Sequence, residues 1–119
     1  MTDRSMQPCG DKPNCVSTLD NREKFKLVPY ELTADVNIDQ IENAALQLPG
    51  AKTAFKEDKY LRIECTSRIM RFVDDLELRI DSGKLIVRSE SRVGYSDFGV
   101  NRKRANQLRK LLEAEGLIK

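Results

Sequence analysis

The sequence predicts an α+β domain of two layers, an antiparallel meander of about four strands carrying two helices on one face. Three observations predict it. Apolar residues recur at helical spacing in two segments, 38–48 and 102–115. Between those segments, apolar and polar residues alternate in runs of strand length. Turn-forming residues, Glu57-Asp58-Lys59 and Asp81-Ser82-Gly83, separate the runs.

Residues 1–24 are polar, contain Pro8, Pro13 and Asn14, and show no period; they predict an irregular N-terminal arm ahead of a single domain over residues 25–119. Phe25 to Leu32 alternates weakly, and Pro29 limits any strand there to a short or edge one. The first helix is expected from Ile38 to Leu48. Asn37 suits its N-cap, Gln40 stands where it can reach back to close a capping box, and Asp39 favours the positive helix end. Ile38, Ile41, Ala45 and Leu48 form its apolar stripe, and Pro49-Gly50 stops it.

Strands are expected at Ala51–Lys56, Tyr60–Arg68, Phe72–Ile80 and Lys84–Val93. Leu61, Ile63, Cys65, Leu76, Leu78, Ile80, Leu85 and Val87 then share one apolar face, which the helices must cover. A two-residue loop at Ser82-Gly83 sets the register: Asp81 opposite Lys84, Glu77 opposite Arg88, Asp74 opposite Ser91. The other face carries Arg62, Glu64, Asp75, Glu77, Arg79, Arg88, Glu90 and Arg92, and is expected to stay wet. After a loop at 94–100, the last helix runs from Arg102 to about Glu115, with Asn101 as N-cap, Ala105, Leu108, Leu111 and Leu112 as its stripe, and Gly116 at its end.

Composition bounds the function. With 119 residues the chain makes one domain. It is 34% charged but its net charge is only +2, so no overall field calls for nucleic acid. No nucleic-acid motif is present, and no apolar run is long enough to span a membrane. The N-terminus lacks the apolar stretch of a secretory signal, so a cytoplasmic setting is expected, with an exported one left open. Histidine is absent, which removes Ser–His–Asp and Cys–His nucleophile systems and every His-containing metal site. Cys9 and Cys15 flank a turn-rich loop and suit either a disulfide or reduced thiols; Cys65 falls mid-strand and reads as core. Three cysteines without histidine are a poor zinc set, and no metal or cofactor is expected. A redox role lacks the expected C-x-x-C setting.

Three constellations stand out. In the hairpin register Asp74 points inward beside Ser89 and Ser91, so the apolar interior turns polar at one end of the sheet. An inward carboxylate needs a partner, with Arg68, Arg92, Arg102 or amides of the 94–100 loop as candidates. It either pins that loop to the sheet or serves a small polar pocket as ligand or base. Asp74 and Asp75 make no catalytic dyad, because strand neighbours face opposite ways. Next, Arg102, Lys103 and Arg104 open the last helix, where the dipole disfavours cations, so they either pair internally or await an anion. Finally, Ile69-Met70-Arg71-Phe72 links two strands with bulky apolar residues, expected to fold under the domain or else to form a contact patch for a partner or membrane surface.

Cys9-Gly-Asp-Lys-Pro-Asn-Cys-Val-Ser17, Phe72-Val-Asp-Asp75 and the stretch Ser89-Glu-Ser-Arg-Val-Gly-Tyr-Ser-Asp-Phe-Gly-Val-Asn-Arg102 resemble the "domain of unknown function 1499" family over nearly the whole chain. The resemblance implies membership without an activity or cofactor, and directs attention to those same segments. The expected function is a small non-catalytic binding module whose partner is a small anion or a protein. Its candidate residues are Asp74, Asp75, Ser89, Ser91, Arg92, Tyr95, Asp97, Asn101, Arg102 and Arg104. The alternative is a hydrolase- or isomerase-type enzyme with Asp74 as acid/base and Ser89, Ser91 or Tyr95 nearby.

Overall fold

Ser82 and Gly83 both take left-handed backbone angles, φ 51° and 78°, as a two-residue hairpin turn of the favoured twist requires. That turn joins β5 (Val73–Asp81) to β6 (Lys84–Ser91), and the pairs Asp81–Lys84, Glu77–Arg88 and Asp74–Ser91 form as the turn dictates. β4 (Tyr60–Thr66) pairs antiparallel with β5, placing Cys65 opposite Asp74, and β3 (Ala51–Lys56) closes that edge with a bulge between Thr53 and Phe55. The computed structural model describes residues 2–119.

The sheet has six strands rather than about four. β1 (Cys15–Ser17) pairs with Arg88–Glu90 of β6, and β2 (Tyr30–Glu31) pairs with Lys84–Leu85 of the same strand. Together they cover most of the edge that β6 would otherwise leave open. The N-terminal arm is therefore not irregular throughout.

α1 (Ile38–Ala45) starts at the expected capping box, Asn37 with Gln40, but ends earlier than predicted; Leu48 stays buried from the turn that follows. Gly50, φ 68°, lies where any Cβ would collide with the Thr66 carbonyl, so only glycine lets this turn close onto the end of β4. α2 (Val100–Ala114) begins one residue before the position expected of its cap. Gly99, left-handed at φ 83°, is its N-cap, and Asn101 falls inside the helix. Both helices pack on the apolar sheet face: Ile41, Ala44, Ala105, Leu108 and Leu112 form one core with Leu61, Ile63, Leu76, Leu78, Leu85 and Val87.

The opposite face is only partly wet. Residues 3–8 of the arm lie across it, and Asp75, Glu77 and Arg88 are buried. The Arg4 amide and the Tyr60 hydroxyl each donate to Glu77 Oε2, at 2.8 and 2.7 Å. Arg88 donates to the Gln7 carbonyl at 3.2 Å and to Glu90 at 2.8 Å, while Arg4 pairs with Glu90 at 2.9 Å and Arg79 with Asp3. Burial, then the bond to the Glu77 carboxylate, hold the Tyr60 phenol far above its ordinary range. The alternation of charge along β5 and β6, which in sequence suits a solvated face, here matches a polar segment from far away in the chain. The 69–72 connection also departs from expectation: Ile69, Met70 and Phe72 are exposed rather than folded under.

Candidate functional site

The polar end of the interior is where Asp74, Ser89 and Ser91 leave the core and meet the first turn of α2. Asp74 pairs with Arg104 at 2.8 Å, a partner that replaces the Arg68, Arg92 and Arg102 expected from sequence. Arg104 sits one turn into α2 and points back at the sheet, as long helical side chains do. The same guanidinium donates to Asn101 Oδ1 at 2.8 Å and to Ser89 Oγ at 3.3 Å, and Ser89 Oγ donates to Asn101 Oδ1 at 2.6 Å. Asn101 is fully buried, and its Nδ2 faces Ser91 Oγ, Asp97 Oδ2 and the Asn14 carbonyl at 2.9, 2.7 and 3.1 Å. Asp97 accepts from the Gly99 and Asn101 amides at 2.8 and 3.1 Å, doing the capping that sequence gave to Asn101.

The arm completes this network. The Asn14 carbonyl also accepts from the Ser91 amide at 2.9 Å, the Asn14 side chain donates to the Gly94 carbonyl at 3.1 Å, and the Asp97 amide donates to the Pro13 carbonyl at 3.2 Å. A disulfide joins Cys9 to Cys15 and so closes the loop that presents Asn14. Arg22 holds that loop from outside: it donates to the Cys9 and Gly10 carbonyls at 2.7 and 2.9 Å and to Asp20, and stacks 4.1 Å from the Phe25 ring centroid. Its hydrogen bond brings the Asp20 carboxyl down to about 2.

Residues 5–112 match the family described as "Protein of unknown function (DUF1499)". The chain belongs to this family. No curated protein and no solved structure matches it. The three segments that carry the DUF1499 resemblance are the ones that interlock here: Pro13-Asn14-Cys15 from the arm, Asp74 from β5, and Ser89, Ser91, Asp97 and Asn101 on either side of the β6–α2 loop.

The structure divides the ten candidate residues into separate groups. Asp74, Ser89, Ser91, Asp97, Asn101 and Arg104 come together as described. Asp75 and Arg92 lie on the opposite sheet face, where Arg92 grips Asp75 with two bonds, 2.8 and 2.9 Å, and reaches Glu64 at 2.8 Å. Those carboxylates hold the Arg92 guanidinium charged well beyond its ordinary range. Arg102 turns to the Lys26 and Lys24 carbonyls at 3.0 and 3.1 Å, and Tyr95 is exposed. Burial pushes the Cys65 thiol up, in keeping with a core residue.

Next to Arg104 the surface opens into a cleft of about 720 Å³, lined by Thr66, Ser67, Arg68, Arg71, Lys103 and Gln107 among others. The Gly50 turn forms one wall and the first turns of α2 the other. Arg68, one of several candidate partners of Asp74 in the sequence, lines the cleft instead, and no sequence signal brings Arg68 and Arg71 together with Lys103 of α2. Arg68, Arg71 and Lys103 make no side-chain hydrogen bond or ion pair among the described residues. The broad depression beside Arg4 and Arg92 differs in carrying carboxylates: Arg4–Glu90 and Arg92–Asp75–Glu64 pair there, although Lys12 and Arg62, whose Nε is buried without a partner, also line it. Among the described residues no cluster of three or more Cys, Asp and Glu is arranged to hold a metal, and no helix is long and apolar enough to cross a membrane.

Proposed function

We propose that this protein is a non-catalytic binding module that accepts an anionic group, a phosphate or carboxylate, in the cleft between the β4–β5 connection and the first turns of α2. The observation that carries this reading is the charge balance of the cleft. Arg68, Arg71 and Lys103 face it without a carboxylate of their own, and the one acid at its back, Asp74, is engaged by Arg104. Thr66 and Ser67 add hydroxyls and α2 adds the positive end of its dipole. The pairing of Asp74 favours this reading over a hydrolase or isomerase using Asp74 as acid/base. Because Arg102 and Arg104 have partners within the protein, the anion falls to their neighbours. The Cys9–Cys15 disulfide favours an oxidising compartment.

The test is a thermal-shift panel of phosphate, sulfate, dicarboxylates and glycerol phosphate at fixed ionic strength. A ligand at 100 times its Kd stabilises by about 2.7 kcal/mol, several degrees for a domain of this size. The expected result is a selective shift that Arg68→Gln with Lys103→Gln abolishes. A panel flat for the wild-type protein overturns the proposal.

A further inference from the structure

The cleft does not stand alone on its end of the molecule. β4 ends at Thr66 opposite Val73 of β5, and β6 ends at Ser91 opposite Asp74, so the 67–72 connection and the 92–99 loop leave the sheet at the same end. Both are tipped with large apolar side chains that nothing covers. Phe98 is 95% exposed and Ile69 88%, and Met70, Phe72 and Tyr95 are each at least half or nearly half exposed. Folding gives no reason for such exposure. Two of the non-glycine residues held in the left-handed region, Arg71 (φ 59°) and Phe98 (φ 53°), sit at these two tips; a bulky aromatic is a rare occupant of that conformation.

The charge between the tips is mainly basic. Residues 66–73 contain Arg68 and Arg71 and no acid. In the 92–104 stretch the sole acid is Asp97, whose oxygens accept from Gly99 and Asn101. At the opposite end of the sheet, the 57–59 and 81–84 turns carry no large apolar residue and mix Glu57, Asp58 and Asp81 with Lys59 and Lys84. The two ends of the strands thus differ, with exposed apolar tips and excess basic charge at one and mixed-charge polar turns at the other.

We infer that this end docks on an anionic membrane surface, with headgroup phosphates entering the cleft of Arg68, Arg71 and Lys103 and the two apolar loops entering the interface; the inference rests on the anion-accepting reading above. Cations level with the headgroups and apolar tips reaching past them are the arrangement an interfacial anchor needs. An acidic protein partner would match the charge, but not two separated loops whose tips are bare on every side.

The experiment is cosedimentation of the full chain with vesicles of pure phosphatidylcholine and of equimolar phosphatidylcholine and phosphatidylglycerol. The expected result is binding to the mixed vesicles alone, weakening with salt. Arg68→Gln and Lys103→Gln should each lower affinity about fivefold. Phe98→Ser and Ile69→Ser, both at exposed sites, should each lower it about tenfold. The chain has no tryptophan, so Phe98→Trp supplies a single reporter whose emission should shift to the blue on binding the mixed vesicles. No sedimentation with mixed vesicles, or sedimentation that the loop serines leave unchanged with unshifted emission, overturns the inference. If glycerol phosphate still stabilises the protein while mixed vesicles do not bind, the membrane inference alone fails; if neither binds, the anion-accepting reading fails with it.

Discussion

On one face of β5 and β6, Leu76, Leu78, Leu85 and Val87 lie beneath two helices; on the other, Asp75, Glu77, Arg88 and Glu90 lie beneath a short polar segment of the arm. The same hairpin supplies both faces, one residue apart. The apolar side gains from removing area from water and is indifferent to direction. The charged side gains little net energy from burial, because desolvation offsets the Coulombic attraction, but each pair fixes where its partner must lie. One cover holds by amount, the other by address. Glu77 shows the cost of address: its Oε2 accepts two hydrogen bonds, while its Oε1 is buried without one, 4.0 Å from Arg88.

The largest expected effects compare the two faces directly. Leu78→Ala should cost about 3 to 4 kcal/mol by the cavity it leaves. Arg88→Ala should cost about 3 kcal/mol by leaving the buried Glu77 without its cation. Urea denaturation in a Glu77→Gln background separates them. The Leu78 loss should be the same in both backgrounds, and the Arg88 loss should shrink when Glu77 carries no charge; an unchanged Arg88 loss would break the comparison.

A smaller effect, about 2 kcal/mol, is expected from Cys9→Ser with Cys15→Ser, since the disulfide closes a short loop. The loss should fall unevenly. Hydrogen exchange should rise at the Arg4 and Ser91 amides, which depend on the arm, and stay slow at the amides of Leu76 and Leu78. Uniform exchange would mean that the two covers open together.

The smallest effect is titratable. Asp20 ties Arg22 to the disulfide loop, and Arg22 holds its carboxyl at about 2, below the ordinary 3.8. A carboxyl lowered on folding contributes stability that is fully present above pH 4 and is lost as pH falls from about 4 to 2. Half-exposure of Arg22 keeps this to about 1 kcal/mol. Melting temperatures of wild type and Asp20→Asn should therefore differ at pH 6 and converge toward pH 2.

Local chemistry made much of this legible in the sequence. The Ser82-Gly83 turn fixed the hairpin register and with it the inward position of Asp74. Asn37 and Gln40 announced α1. What stayed hidden depends on contacts distant in sequence. Cys15–Ser17 and Tyr30–Glu31 are too short to show a period and become strands only because β6 offers them an edge. Asp75, Glu77, Arg79 and Arg88 look like any solvated face until the arm is laid on them. Asn101 looked like a cap because Asn often is one, yet Gly99 and Asp97 take that work and free it for the buried network. Asp74 has an arginine partner as expected, but it is Arg104, which lies four residues before the buried Leu108 on the sheet side of α2, whereas Arg102 turns to the Lys24 and Lys26 carbonyls.

The arm lies far from its partners in the chain. Arg4 bonds a residue 73 positions ahead, and Arg88 reaches back 81 positions to Gln7. Until the β5–β6 hairpin has been made, residues 3–8 lack the face they lie on, and α2, which covers the other face, follows later still. Such distant contacts bear the largest loop-closure cost and are expected to form late. Neither cover of the hairpin can therefore be complete before the hairpin itself exists, and the stretch of chain between Arg4 and Glu77 is how far the charged one must reach.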